Sequence, residues 1–543
     1  MNILAFSKKS LSVHRVALLV SALIVALFNQ SLWREVLRLT VDQDPTAWFF
    51  PISLFFVLLF TINAVLTILA WPVLFKPIAI ALILISVSAS YFMDAFGILI
   101  DREMIRNLLE TDVQEASDLI SLGVLAHFAF WGGVPAYLIL RQPISYRSWF
   151  PATIRKLVLL AVSAVIVISI VMLGFKHYSA FFSNNRHVRH LIAPVNVIYS
   201  TTSLLKRIHF NTPKQFQLVG TDARPGAILQ QSGKRALLVL VVGETARADH
   251  FSLQGYERET NPKLKEAGGI YFSNVSSCGT ATATSIPCMF SADTRETFSN
   301  ERARHTEGFM DVASRAGVRV IWLENNSGCK GICNRTEFEK LSHQKIPGTC
   351  VDGECFDEIL EMRLEEILKT ATGPLLVVLH QRGSHGPAYY KRYPAKFKQF
   401  TPVCTDAQLD RCPRQDIVNA YDNTLLYTDS TLAGLTKMLG RNSERFDSAL
   451  LYISDHGESL GENGVYLHGM PYAIAPKAQT HVPMYIWFSP DFAQTMQFDQ
   501  QCSREKKANP YSHDNLFHTV LGMLDIKTEV YQSKLDMFSD CRN

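Results

Sequence analysis

The chain changes character about a third of the way along. Up to residue 175 the apolar residues come in long runs, roughly over 16–33, 47–70, 77–100, 120–140 and 156–175. Each run approaches the ~20 residues a helix needs to cross a bilayer core, so the pattern predicts five membrane-spanning helices. From Arg235 onward the apolar runs are short and alternate with amphipathic stretches. Ala236–Val242, Val318–Trp322, Leu375–Leu379 and Ala449–Ile453 read as buried strands, with helices expected over 301–316, 357–370 and 417–440. Short apolar strands separated by helices predict an α/β fold with a mostly parallel central sheet covered on both faces. Between the two regions, aromatics mix with Arg186, Arg189, Lys206 and Arg207, the pattern of an amphipathic segment lying on a membrane surface. The expected organisation is a five-helix transmembrane domain over 1–175, a surface linker over 176–234 and a soluble domain over 235–543.

Composition narrows the class. Of 543 residues, 48% are hydrophobic and 19% charged, which excludes disorder and, given the apolar runs, a cytosolic soluble protein. The net charge of +4 is too small to argue for nucleic acid. All ten cysteines lie at or beyond Cys278, and eight fall into close pairs. That usage points to short-loop disulfides in an oxidising compartment. A zinc site built from Cys329, Cys333, Cys350 and Cys355 is the rival, but its spacings are loose for one.

Orientation follows from the loops. One side of the predicted bundle carries eight Lys and Arg (Lys8, Lys9, Arg15, Lys76, Arg141, Arg147, Arg155, Lys156) and the other carries four (Arg34, Arg38, Arg102, Arg106). The excess places the N-terminus in the cytoplasm. Five crossings then put the cysteine-bearing region on the far side, where thiols oxidise. The first run is read as an uncleaved anchor, because bulky Phe28-Asn29-Gln30 follows it rather than a small-residue cleavage site.

The candidate chemistry collects at strand ends. Glu244, Ser384-His385 and Asp455-His456 each follow a predicted strand, the edge where ligands bind in such sheets. Carboxylate and imidazole donors without a thiolate favour zinc, with manganese as runner-up. His385 in Gly383–Pro387 and His468 in Tyr466–Gly469 join them. Thr280 is expected at the start of a helix running through Phe290, where exposed N–H groups stabilise an alkoxide and a phosphate; Thr245, Thr282 and Thr284 compete for the role of nucleophile. Lys330, between Gly328 and Gly331, reads either as an exposed surface lysine or as a fixed cation facing a phosphate. Asn107, Thr111 and Glu115 share one helical face, as a solvated interfacial helix or as a polar wall toward a lipid headgroup.

The segments Val242–Thr245, Ser277–Thr280, Gly383–Pro387, Ser454–Gly464 and Tyr466–Gly469 closely resemble the bacterial phosphoethanolamine–lipid A transferases, which include the transferable colistin-resistance enzymes. The likeness is dense from about 236 to 541. It implies an alkaline-phosphatase/sulfatase-like catalytic domain on a five-helix membrane domain. It implies Thr280 as nucleophile and zinc ligand, with Glu244, Asp455 and His456 completing that zinc site. His385, His468, Lys330 and Ser327 would handle the donor headgroup or a second metal, with His385 or His468 as acid or base, and Asn107, Thr111 and Glu115 would contact the headgroup. The expected bridges are Cys278–Cys288, Cys329–Cys333, Cys350–Cys355 and Cys404–Cys412, with Cys502–Cys541 paired by elimination. The implied reaction moves phosphoethanolamine from phosphatidylethanolamine to a lipid A phosphate through a phospho-threonine. The protein would act as a monomer in the bacterial inner membrane, with its catalytic domain periplasmic, and would confer polymyxin and colistin resistance. The alternatives are the same transfer to a lipopolysaccharide core sugar, and a membrane-tethered phosphodiesterase or sulfatase.

Overall fold

The computed structural model describes residues 10–111, 117, 119–210, 215–231, 235–342, 344, 346–351 and 354–542. The chain forms two compact units, one of residues 1–105 and 120–210, the other of residues 106–119 and 211–543. Residues 106–119 thus group with the second unit, and the region expected as a linker contributes to the first unit as far as residue 210.

Four helices of the first unit are long and apolar enough to span a bilayer: Phe49–Ile68, Phe75–Phe96, Leu122–Arg141 and Trp149–Leu173. The first apolar run, expected as one helix, is a pair, Val13–Leu27 and Gln30–Leu39, bent by 58°, which together are long and apolar enough for a fifth span. Asn29 explains the break. Its side-chain amide donates to the carbonyls of Ile24 (2.9 Å) and Ala193 (3.1 Å), and its Oδ1 accepts from the Ala193 N–H (2.8 Å). A side chain thereby satisfies backbone groups that the interrupted ladder leaves open. The span Leu122–Arg141 contains a π-helical segment, Phe128–Gly133, which ends two residues before Pro135, a residue with no N–H for a regular turn. Trp149–Leu173 leaves Leu157, Val158, Val165 and Ile168 exposed, a surface suited to lipid rather than to water. Phe175–Asn184, Arg186–Leu191 and Val195–Phe210 pack back onto this unit, burying Tyr178, Phe181, Val188 and Leu191 in its apolar core.

The second unit is built on a seven-stranded sheet. In chain order its strands are β1 (Arg235–Gly243), β2 (Ile270–Phe272), β3 (Arg319–Glu324), β4 (Glu337–Lys340), β5 (Leu375–His380), β6 (Phe446–Ser454) and β7 (Met484–Phe488). They lie in the order β2-β7-β6-β1-β5-β3-β4. Strands β6, β1, β5, β3 and β4 run parallel, while β7 is antiparallel to both its neighbours. The continuous apolar run of β1 feeds two cores, because successive side chains face opposite ways. Ala236, Leu238, Leu240 and Val242 enter one core, with Ile286, Phe517 and Val520; Leu237, Val239 and Val241 enter the other, with Leu364, Ile417 and Leu425. The expected helices 357–370 and 417–440 appear as Glu358–Thr370 and Arg414–Arg441. The helix expected over 301–316 splits into Asn300–Ala303 and Phe309–Arg315 around Gly308, where a Cβ would lie 2.6 Å from the Phe290 carbonyl oxygen. All ten cysteines are bridged as Cys278–Cys288, Cys329–Cys333, Cys350–Cys355, Cys404–Cys412 and Cys502–Cys541.

Candidate active site and metal centre

Register places the site. Gly243, the last residue of β1, pairs with Ser454, the last residue of β6, so Glu244 and Asp455 leave adjacent parallel strands side by side. On the other flank His380, ending β5, pairs with Val242 of β1 and with Glu324, ending β3. Four neighbouring strands therefore deliver polar residues to one edge. The turn after β1 is sharp: Thr245 is held in the left-handed region (φ 53°), which a β-branched residue rarely adopts. In that conformation its N–H donates to Asp455 Oδ1 (3.2 Å). Gly383, also left-handed (φ 54°), lets the loop after β5 close on Glu244, where a Cβ would lie 2.7 Å from the Glu244 carbonyl oxygen.

Glu244, Asp455 and His456 converge with their ligand atoms within 4.8 Å of one another, all fully buried. His456 Nε2 lies 3.4 Å from Glu244 Oε1 and 3.4 Å from Asp455 Oδ2. His456 Nδ1 is 2.9 Å from the Gly457 carbonyl, which accepts its proton and leaves the Nε2 lone pair facing the two carboxylates. Burial, reinforced by the neighbouring His468, holds the His456 imidazole well below its ordinary pKa, so it is neutral. Burial pushes the Asp455 carboxyl up, against the pull of His380. Its Oδ2 has no hydrogen-bond partner among the described residues. Two carboxyl groups and an imidazole nitrogen thus converge in a buried space, an environment a divalent cation satisfies.

The fourth corner is a hydroxyl, and it belongs to Thr282. Its Oγ1 lies 3.3 and 3.2 Å from the Glu244 carboxylate oxygens and 3.3 Å from His456 Nε2. A tetrahedral zinc about 2.0–2.1 Å from each donor separates those donors by about 3.3–3.4 Å, which the separations of His456 from Glu244, Asp455 and Thr282 and of Thr282 from Glu244 match. Thr282 is the first residue of the helix Thr282–Met289, where free N–H groups and the dipole favour an anion. The structure places Thr280, expected at this position, elsewhere. The helix starts two residues later than its spacing predicted, and the Thr280 hydroxyl donates instead to the Met470 carbonyl (2.6 Å), while the Thr280 carbonyl accepts from the Gly469 N–H (2.7 Å). Thr280 ties the turn to the loop that carries His468. The Cys278–Cys288 bridge and the Cys278 N–H, which donates to His513 Nδ1 (3.0 Å), hold the same turn from the other side.

His385 and His468 also come to this centre. The His468 ring lies 4.3 Å from that of His456 and 5.6 Å from that of His385, centroid to centroid, and His468 Nδ1 is 3.3 Å from the fully buried Glu458. Lys330, in the left-handed region (φ 53°), donates from Nζ to Ser327 Oγ (3.0 Å) and to the Glu110 carbonyl (3.4 Å). Among the residues expected at the headgroup, Thr111 donates its hydroxyl to the Asn107 carbonyl (2.7 Å), and Glu115 lies outside the described residues. The neighbouring Glu110 pairs with Arg304.

Residue patterns alone missed a buried network behind Glu244. Asn326 Nδ2 donates to Glu244 Oε2 (2.7 Å) and to the Gln381 carbonyl (3.0 Å), and lies 3.3 Å from His380 Nε2. His380 Nδ1 faces Glu324 (3.0 Å), whose carboxylate also accepts from Trp322 Nε1 (2.7 Å) and the Asn326 N–H (2.6 Å). The available signal was that Glu324 and His380 end strands just as Gly243 does.

Comparison with known proteins agrees with this architecture. A family model described as Sulfatase matches residues 236–526, and one described as Phosphoethanolamine transferase EptA/EptB matches residues 58–208. Phosphoethanolamine transferase EptA of Escherichia coli (strain K12) is 40% identical over 489 residues, covering 89% of this chain and 88% of that protein. Phosphatidylethanolamine transferase Mcr-1 of Escherichia coli is 37% identical over 466 residues, 84% of each chain. The structure of the integral membrane protein lipooligosaccharide phosphoethanolamine transferase A (EptA) from Neisseria meningitidis matches with a TM-score of 0.95 at 37% identity, over 98% of this chain and 100% of that one. The fold, the acidic and imidazole cluster at the strand ends and these likenesses converge: the chain belongs to the bacterial phosphoethanolamine–lipid A transferase family.

Proposed function

We propose that this protein transfers phosphoethanolamine from phosphatidylethanolamine to a phosphate group of lipid A, through a covalent intermediate on Thr282. The observation that carries the proposal is the Thr282 hydroxyl, within 3.3 Å of Glu244 and His456 at a helix N-terminus. Glu244, Asp455, His456 and Thr282 would hold a zinc ion. When bound, it supplies positive charge that neutralises phosphoryl oxygens and lowers the pKa of an adjacent hydroxyl.

The chain's own groups account for the rest. Thr282 Oγ1 forms a bond to phosphorus as the bond to the diacylglycerol oxygen breaks. The hydroxyl proton leaves to a base, and the departing glycerol oxygen takes up a proton. His385 and His468 are the acid–base groups beside the centre, with Glu458 orienting His468. The N-terminus of Thr282–Met289 holds the phosphoryl oxygens, and Lys330 and Ser327 receive the headgroup with Asn107, Thr111 and Glu115. In the second half-reaction an oxygen of the lipid A phosphate attacks the same phosphorus, and Thr282 is released with its proton restored. The Lys and Arg asymmetry and the five disulfides support an inner-membrane protein with a cytoplasmic N-terminus and a periplasmic second unit. Adding an ammonium beside an anionic phosphate lowers the negative charge of the outer surface. That weakens cationic polymyxins and colistin, whose attraction to it is electrostatic.

Mass spectrometry of lipid A from cells expressing the chain tests the proposal. The wild type adds a phosphoethanolamine increment, Thr282→Ala and Glu244→Ala lose it, and Thr280→Ala keeps it. An increment that survives in Thr282→Ala, or disappears only in Thr280→Ala, overturns the assignment of the nucleophile.

A further inference from the structure

The first unit contains a cavity that the proposed transfer does not use. It is about 360 Å³ and is lined by Ser12, His14, Tyr146, Arg147, Arg155 and Lys156, with Trp71 and Trp149 among its apolar walls. Its walls come from the start of the first helix, the connection after Phe49–Ile68 and the connection before Trp149–Leu173. These are the segments that carry the Lys and Arg excess.

Four polar atoms lining it, Ser12 Oγ, His14 Nδ1, Tyr146 OH and Lys156 Nζ, are buried and have no hydrogen-bond partner among the described residues. Lys156 is 8% exposed, and its ammonium sits 3.7 Å from the centroid of the Trp71 ring. The ring face compensates part of the charge, but the ammonium's donors remain unmatched. Arg147 and Arg155 add two guanidinium groups, and no carboxylate lines the cavity among the described residues. The first turn of the 25-residue helix Trp149–Leu173 adds its positive end. A buried, unpaired ammonium is costly unless an anion accompanies it.

We infer that this cavity is a binding site for a phosphate-bearing anion, held by Lys156, Arg155 and Arg147 with hydroxyl donation from Ser12 and Tyr146. Guanidinium and ammonium groups suit phosphate oxygens, the guanidinium bidentately. The volume lies in the range that encloses a small ligand. The apolar walls accommodate the glycerol end of an anionic phospholipid, and basic pockets between membrane helices bind such headgroups. The site is separate from the transfer chemistry, so its failure and that of the proposed function are read in different measurements.

The test uses the full chain purified in detergent. Native mass spectrometry measures retention of phosphatidylglycerol against zwitterionic phosphatidylcholine, and thermal unfolding measures the response to phosphatidylglycerol and to inorganic phosphate alone. Wild type is expected to retain one phosphatidylglycerol. Lys156→Met weakens that retention by about tenfold or more, the equivalent of one charge-assisted hydrogen bond lost. Lys156→Met also raises the unfolding temperature of the lipid-free protein, because it removes an unpaired buried charge. Tyr146→Phe, which keeps the packing, weakens retention by a smaller factor. Stabilisation of wild type by phosphatidylglycerol but not by inorganic phosphate identifies a lipid headgroup; stabilisation by inorganic phosphate, lost in Lys156→Met, identifies a free phosphate species. Equal retention and equal stabilisation in wild type, Lys156→Met and Tyr146→Phe overturn the inference.

Discussion

Asn326→Ala removes a donor that touches Glu244 without touching substrate. The amide is 4% exposed and reaches Glu244 Oε2 at 2.7 Å. A hydrogen bond to a charged group contributes about 1.5–3 kcal/mol, so its loss from the ion-binding geometry corresponds to about a 10- to 150-fold weaker affinity. Groups that orient metal ligands typically account for about 10- to 100-fold, and the two estimates overlap. The assay strips the full chain with a chelator and titrates zinc back against a fluorescent competitor, with the unfolding temperature of the metal-free protein followed in parallel. Asn326→Ala is expected to bind zinc at least about tenfold more weakly than wild type. His380→Gln, one bond further from Glu244, is expected to lose less. Wild-type zinc affinity in Asn326→Ala, with a metal-free unfolding temperature also unchanged, would refute the claim that this network sets the position of Glu244.

Other outcomes follow from the same geometry. Chelation of the loaded protein should lower its unfolding temperature, since an ion present at about 100 times its Kd contributes about 2.7 kcal/mol; no change on chelation counts against a metal centre. Thr280→Ala should cost about 0.5–1.5 kcal/mol by thermal or denaturant unfolding, for the lost bond to the Met470 carbonyl. Gly457→Ala should cost on the order of 2–3 kcal/mol and weaken zinc binding, since the new Cβ would lie 2.0 Å from the Ala478 carbonyl oxygen beside His456. His513 carries a pH dependence. Burial pushes its imidazole down to about 4, and its Nδ1 must stay unprotonated to accept from the Cys278 N–H. The unfolded chain, with an ordinary histidine near 6.5, therefore binds the extra proton between about pH 6.5 and 4. Stability from this residue is full above that window and falls by about 3 kcal/mol as pH drops through it. His513→Gln should flatten that part of the stability profile, and a profile of unchanged slope would count against this assignment.

Much of this molecule was legible in one dimension. Apolar runs of bilayer length marked the spanning helices, and shorter ones marked β1, β3, β5 and β6, because burial on both faces of a parallel strand demands unbroken apolar sequence. Glu244, Asp455 and His456 were legible because each follows such a strand within two residues, where topology leaves only one edge for ligands. Close cysteine pairs were legible because a short separation leaves few partners.

Other features depend on groups far apart in sequence. Asn29 breaks the first apolar run by bonding to Ala193, a partner 164 residues away. Whether Thr280 or Thr282 faces the Glu244, Asp455 and His456 cluster turns on where a helix begins. That start is set by Met470, Gly469 and His513 gripping the preceding turn, and both threonines look alike in sequence. The Asn326–His380–Glu324 network exists because three parallel strands end in register, and four polar atoms without partners among the described residues meet in one cavity because the start of the first helix and two connections close around it. Periodicity and residue type determine which segments are buried and what chemistry they carry. Which side chains meet is decided by long-range packing, since a hydrogen bond depends on a separation in space that spacing along the chain does not encode.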